Sequence, residues 1–299
     1  MNDLSSSRKR GLKAPGMTFR LLLGWLVAFQ GSAILAQISQ PTFVRWIENG
    51  PKTGHLDTAI QVYRHPSGKE VSLIAAIHIA DRSYYQQLNQ RLGQYECVLY
   101  EMVTEEGNRP KPGAEPSHPL GMMFKGMQSL LGLSYQVDEV DYMPRHFVHA
   151  DLDPTTFGAL QSAKGENFFT LAIQAYLREK QLMASGELKA FSGLDLLMAL
   201  AGGDSQHAMK WTLARQLSEV DSMTSILDAG MDGQGSIILN GRNDKAFEVL
   251  EREWSSGKKQ IAIFYGAAHM LDFHQRLLRR GFERSGEQWL VAWDVQPSP

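Results

Sequence analysis

The chain has 299 residues, of which 43% are apolar or aromatic and 21% are charged. Such a composition is globular and long enough to bury a sizeable core, in one large domain or two small ones. The formal charge of −2 conceals five basic residues and one acid within residues 1–36, followed by a mildly acidic body with no basic stripe, which argues against nucleic acid as a partner.

The N-terminus has the three-part form of a secretory signal. "SRKRGLKAPGMTFR" is basic, "LLLGWLVAF" (Leu21 to Phe29) is apolar, and "QGSAILAQ" supplies small residues with Ala33 and Ala36 as candidate cleavage positions. The apolar core is short against the ~20 residues of a spanning helix. The expectation is a cleaved signal over residues 1–36, with an uncleaved membrane anchor as the alternative. A start at Met17 gives a tighter signal of the same kind. In each version the body is exported, either periplasmic or secreted, or is held at a membrane by this segment.

Residues 37–299 read as a single α/β domain: a mainly parallel mixed sheet flanked by helices, with a helical insertion or cap at about 160–235. "AIQVYRHPSGKEVSLIAAIH" gives two strands around a turn at Pro66 to Gly68. "DRSYYQQLNQRLGQY" opens with the capping residues Asp81 and Ser83 and spaces Tyr84, Leu88 and Leu92 as a helix. "ECVLYEMV" is a fully apolar strand ending in Glu101, so strand, helix and buried strand form a crossover unit. The single cysteine, Cys97, lies in this run, which excludes an internal disulfide and a cysteine-based zinc site.

Thr104 to Pro119 is rich in Pro, Gly and Glu and reads as an exposed loop. The Met-rich "LGMMFKGMQSLLGL" is an amphipathic helix, packed on the body or presenting a surface that adapts to substrate. "HADLDPTTF" opens a helix with Asp153 as cap and Pro154 in its first position. "NGRNDKAFEVLEREWSSG" is a helix and "KKQIAIFYGAAH" the strand after it. "MLDFHQRLLRRG" is a helix closed by Gly281, and "FERSGEQWLVAWDV" a final hairpin turning at Ser285–Gly286.

Two phrases echo each other across this order. "LIAAIHIAD" can be laid on "FYGAAHMLD" so that His78 falls on His269, each with small residues before it and an aspartate, Asp81 or Asp272, three places after. His78, Glu101 and His269 then share an address at the ends of three apolar strands, where open α/β sheets bind their ligands. Two imidazoles and a carboxylate suit a divalent metal ion with open positions. The alternatives are satisfied core or capping histidines and, for Asp81 and Asp272, helix caps. "RHFVHAD" adds Arg145, His146, His149 and Asp151 as site candidates, Arg145, His149 and Asp151 on the substrate side, or as a polar turn with a helix cap. Arg242 sits at a helix start, where a cation is unfavourable, so an oxyanion, a substrate carboxylate or Glu101 is expected to hold it.

Gly266–His269 as Gly-x-x-His, Ala75–His78 with Ala in place of the glycine, and Glu101 resemble the TraB/GumN (Tiki-like) family, whose pattern is two Gly-x-x-His motifs and a glutamate. The resemblance runs from about Ala59 to Val295, with "YGAAHM", "VLYE" and "DYMPRHFVHADL" its most specific pieces. It implies an α/β scaffold related in fold to erythromycin esterases. In the Tiki branch it implies a metallopeptidase using a divalent ion (Mn, Co or Zn) at His78, Glu101 and His269, and it makes Arg242 the anion-stabilising group. The implied partner is a peptide or small-molecule substrate. A metal-free esterase-like hydrolase and a non-catalytic exported protein that captures a peptide or signal molecule remain the alternatives.

Overall fold

The structure, a computed structural model, describes residues 40–113, 119–164, 205–219 and 237–297. The expected signal or anchor at 1–36, His118, and most of the expected helical insertion lie outside the described residues.

Three apolar runs build the centre. β3 (Glu70–Ala76), β5 (Cys97–Tyr100) and β8 (Gln260–Gly266) are buried along almost their whole length, as parallel strands covered on both faces must be. They lie in the order β3-β8-β5, with the short β7 (Phe147–His149) beyond β5, and all three pairings are parallel. On the other side of β3 runs β2 (Thr53–Arg64), antiparallel to β3 and to β1 (Val44–Gly50) along one edge and to β9 (Glu283–Val295) along the other. Six of the seven strands described in this sheet therefore point the same way and only β2 opposes them. The class is the α/β mixed sheet expected. The early and late strands share it, because β8 slots between β3 and β5.

The helices follow their apolar spacing. α1 (Arg82–Leu92) buries Tyr84, Tyr85, Leu88 and Leu92. α2 is Pro119–Leu131, α3 the short Gln136–Glu139, α4 Pro154–Lys164, α5 Ser205–Leu217 and α6 Ile237–Ser255. α7 (Met270–Arg279) buries Met270, Leu271, Phe273, His274 and Leu277 along one stripe and ends at Gly281, whose φ of +80° is glycine's to adopt. Asp153 caps α4 as expected, accepting the Thr156 N–H at 2.8 Å. Asp81 takes the N-cap position of α1 without making a cap bond. Its carboxylate instead takes Lys210 Nζ at 2.9 Å and the Asp294 N–H at 2.6 Å. Among the described residues no helix is long and apolar enough to cross a membrane.

Two expectations are corrected. The C-terminal segment is one 13-residue strand, not a hairpin. Ser285 is the extra residue of a β-bulge, since Arg284 pairs with Tyr63 and Gly286 with Val62. The uninterrupted length of β2 gives β9 a partner throughout, so the Ser-Gly signal kinks the strand without reversing it. Arg242 is the sixth residue of α6, not at its start, so an unfavourable helix terminus is not what makes it need a partner.

Candidate functional site

The carboxyl ends of β3, β8, β5 and β7 open on one side of the sheet. In the parallel register Ala76 lies beside Gly266, Tyr100 beside Phe264, and Tyr100 beside His149. His78 follows β3 by two residues, Glu101 follows β5 directly, His269 ends the 3₁₀ turn Ala267–His269 after β8, and Asp151 follows β7 by two. The echo of the two histidine phrases is offset by one in the sheet. The phrases align Ala75 with Gly266, whereas the strands pair Ala76 with it.

Gly266 is the meeting point. A Cβ built there would stand 3.1 Å from Glu101 Oε2, 3.6 Å from His78 Nε2 and 3.9 Å from His269 Cδ2. Its φ of −54° and ψ of 142° are open to any residue, so glycine is here for space and not for conformation. The structure thus brings His78, Glu101 and His269 around one point.

Glu101 is held from three directions. Its Oε2 accepts the Gly266 N–H at 2.5 Å, and its Oε1 takes Arg242 Nη2 at 2.7 Å and faces His269 Nε2 at 3.6 Å. Asp151, with no side-chain exposure, takes Arg242 Nε at 2.9 Å and Nη2 at 2.5 Å. Burial opposes ionisation of Glu101. Arg242 first, then His269 and His78, outweigh it and hold the carboxyl well below its usual range. The same two carboxylates hold the Arg242 charge against its own burial and raise its pKa.

Each histidine is oriented by a side-chain amide. His269 Nδ1 lies 2.5 Å from Asn243 Oδ1, and Asn243 Nδ2 donates to Asp272 Oδ2 at 2.7 Å. His78 Nδ1 lies 3.1 Å from Gln136 Oε1, and Gln136 Nε2 donates to Tyr142 Oη at 2.9 Å. The small sheet of β4 (Ile79–Ala80) with β6 (Ser134–Tyr135) brings Gln136 there, its N–H bonding the His78 carbonyl at 2.8 Å. With Nδ1–H given to an amide oxygen, each ring turns Nε2 into the site. For His269 that sets a lone pair against the ionised Glu101 at 3.6 Å, too far for a hydrogen bond.

The donors fit a first-row divalent ion in kind, and an Nδ1–H held by an oxygen is how ligating histidines are oriented. As placed, no three His, Cys, Asp or Glu side chains among the described residues stand at ion-holding distance.

The remaining candidates divide. Asp151 joins the site through Arg242. His149 is bound to the Met102 carbonyl at 2.6 Å and packs on Tyr100, and Arg145 is exposed on the loop before β7; neither bonds Glu101. Asp272 acts through Asn243. His55 pairs with Asp57, His65 with Ser67 and His274 with Tyr63, and His207 lies on α5. α2 reaches the site by Phe124, whose ring centroid lies 5.0 Å from that of His78, while Met122 on the same helix is exposed. Sequence reasoning missed Gln136 and Asn243. The polar cluster Arg242-Asn243-Asp244 in the first half of α6 is the one signal that pointed to Asn243. The chain matches no protein-family model, no curated protein and no solved structure.

Proposed function

We propose that this chain is an exported hydrolase of the TraB/GumN (Tiki-like) kind, acting on the carbonyl of a peptide or of a small ester or amide. The observation that carries the reading is the convergence of His78, His269 and the ionised carboxylate of Glu101 around Gly266, with both rings oriented from behind. In this reading His78 and His269 hold the attacking water by their Nε2 lone pairs, and one of them takes its proton. Glu101, kept ionised by Arg242, balances the charge that the protonated ring gains. Phe124 limits solvent on the His78 side. A divalent ion held by His78, Glu101 and His269 would supply Lewis acidity and lower the pKa of the bound water.

A metal-free variant is favoured by one feature: Glu101 Oε1 already holds Arg242 at 2.7 Å, a contact that competes with a metal ion for the same oxygen. Elemental analysis of the purified full-length chain, with turnover on a panel of peptides and esters, tests both. Turnover lost with chelation and restored by Mn, Co or Zn supports the metal reading, and turnover unaffected by chelation supports the variant. His78→Ala and His269→Ala should each abolish turnover in a protein that still folds. Retained peptide binding without turnover anywhere in the panel refutes the hydrolase and leaves an exported capture protein.

A further inference from the structure

α6 carries three consecutive polar residues, Arg242, Asn243 and Asp244, and the first two reach the site. Asn243 is completely buried, and Asp244 pairs with Arg276 Nη1 at 2.5 Å. Asn243 joins a carboxylate acceptor, Asp272, to the imidazole of His269. An ionised carboxylate only accepts hydrogen bonds, so Asp272 Oδ2 must face the Asn243 NH₂. Arg276 Nε donates to that same oxygen at 2.5 Å. The amide orientation is therefore imposed from Asp272. A flipped amide would set oxygen against carboxylate oxygen, with no proton between them. With Oδ1 turned inward, His269 must carry its proton on Nδ1. The Gln136 amide on the His78 side answers to a tyrosine hydroxyl, which donates or accepts, so nothing equivalent is imposed there.

We propose that Asn243, fixed by Asp272, is the positioning residue that holds His269 in its Nδ1–H tautomer and so keeps Nε2 as the site's acceptor nitrogen. The consequence for turnover rests on the hydrolase reading, whereas the tautomer does not. The opposite tautomer would point Nε2–H at Glu101 Oε1 and remove the lone pair that Nε2 offers the site.

The test is nuclear magnetic resonance of the full-length, ¹⁵N-histidine-labelled protein, in which two-bond ¹⁵N–¹H couplings separate the two neutral tautomers. Wild type should show His269 as Nδ1–H. Asn243→Leu removes the acceptor and should move His269 to Nε2–H, with turnover falling about 10–100-fold. Asp272→Ala removes the carboxylate that fixes the amide, so the amide can sit either way and His269 should show both tautomers. This second variant carries the test if Asn243→Leu does not fold. His269 unchanged in the folded variants overturns the proposal, and so does a changed tautomer with unchanged turnover. Wild type without turnover refutes the hydrolase reading, and the tautomer measurement then decides the lock by itself.

Discussion

Replacing Arg242 by methionine isolates what the buried charges contribute. The guanidinium side chain is 12% exposed, between Glu101 at 10% and Asp151 at 0%. Removing one member of such a buried set costs about 3–5 kcal/mol, because the partners stay buried and uncompensated. Glu101 keeps the Gly266 N–H and Asp151 keeps the Leu152 N–H at 2.8 Å, which argues for the lower end. A loss of about 3 kcal/mol lowers the melting temperature of a domain this size by roughly 6–12 °C. The pH dependence follows from Glu101. In wild type its carboxyl lies well below 4.5, so its stabilisation is present above that value and is lost as pH falls through the folded pKa. In Arg242→Met the strongest lowering influence is gone while burial remains, so the carboxyl titrates higher and the folded variant takes up a proton sooner. The difference between the two proteins should therefore be largest near pH ~7 and shrink towards pH ~4. Urea titration followed by the fluorescence of the buried Trp254 and Trp293 measures it. Adding Asp151→Asn should recover part of the loss. A cost below about 1 kcal/mol, the range of an exposed pair, or a loss equal at both pH values, refutes the argument.

Gly266→Ala should leave the fold nearly intact, because its backbone angles suit alanine and overpacking by one methyl costs about 1 kcal/mol. The methyl would stand 3.1 Å from Glu101 Oε2, so turnover, or uptake of a metal ion measured by calorimetry, should fall about 100-fold. A fully active variant would show that the reacting water sits elsewhere. His274 offers a separate acid-sensitive element. Burial first, then Arg284, lowers its pKa below 6.5, and its Nδ1 bonds the Tyr63 hydroxyl at 2.8 Å. Its contribution is present above 6.5 and lost as pH falls through the folded value, since the unfolded chain takes the proton first. His274→Asn, which keeps an acceptor, should flatten the stability curve below pH 6.5. An unchanged slope would assign the acid sensitivity to other groups.

The strand ends were legible because their cause is local. β3, β5 and β8 are continuous apolar runs, and the first polar residues after each are the ones that reach the crevice. The α/β class and the address of His78, Glu101 and His269 follow from that alone. What the sequence could not show is non-local. That β8 enters between β3 and β5, across more than 150 intervening residues, depends on pairing energies that no short window contains. The Ser285–Gly286 turn signal was outweighed by β2, whose length only the assembled sheet reveals. Gln136 and Asn243 escaped because an amide has no chemistry of its own. Its importance comes from the histidine on one side and the Tyr142 hydroxyl or the Asp272 carboxylate on the other.

The charges also reassign Arg242. Its position six residues into α6 removes the helix-terminus reason for a waiting anion, and its Nε and Nη2 edge is taken by Asp151 and Glu101 at 2.5–2.9 Å. Turning that edge to a substrate oxyanion would uncover two buried carboxylates, at a cost comparable with the whole stabilisation an oxyanion donor supplies, about 3–4 kcal/mol. Arg242 therefore serves the proposed chemistry from behind Glu101, by keeping it ionised and in place. Two carboxylates against one guanidinium leave a negative excess at the strand ends, and His269 adds a lone pair to it. Such a centre draws a proton, a metal ion or the positive end of a polarised carbonyl, and repels a free carboxylate. The substrate group that enters at Gly266 should accordingly be neutral or cationic.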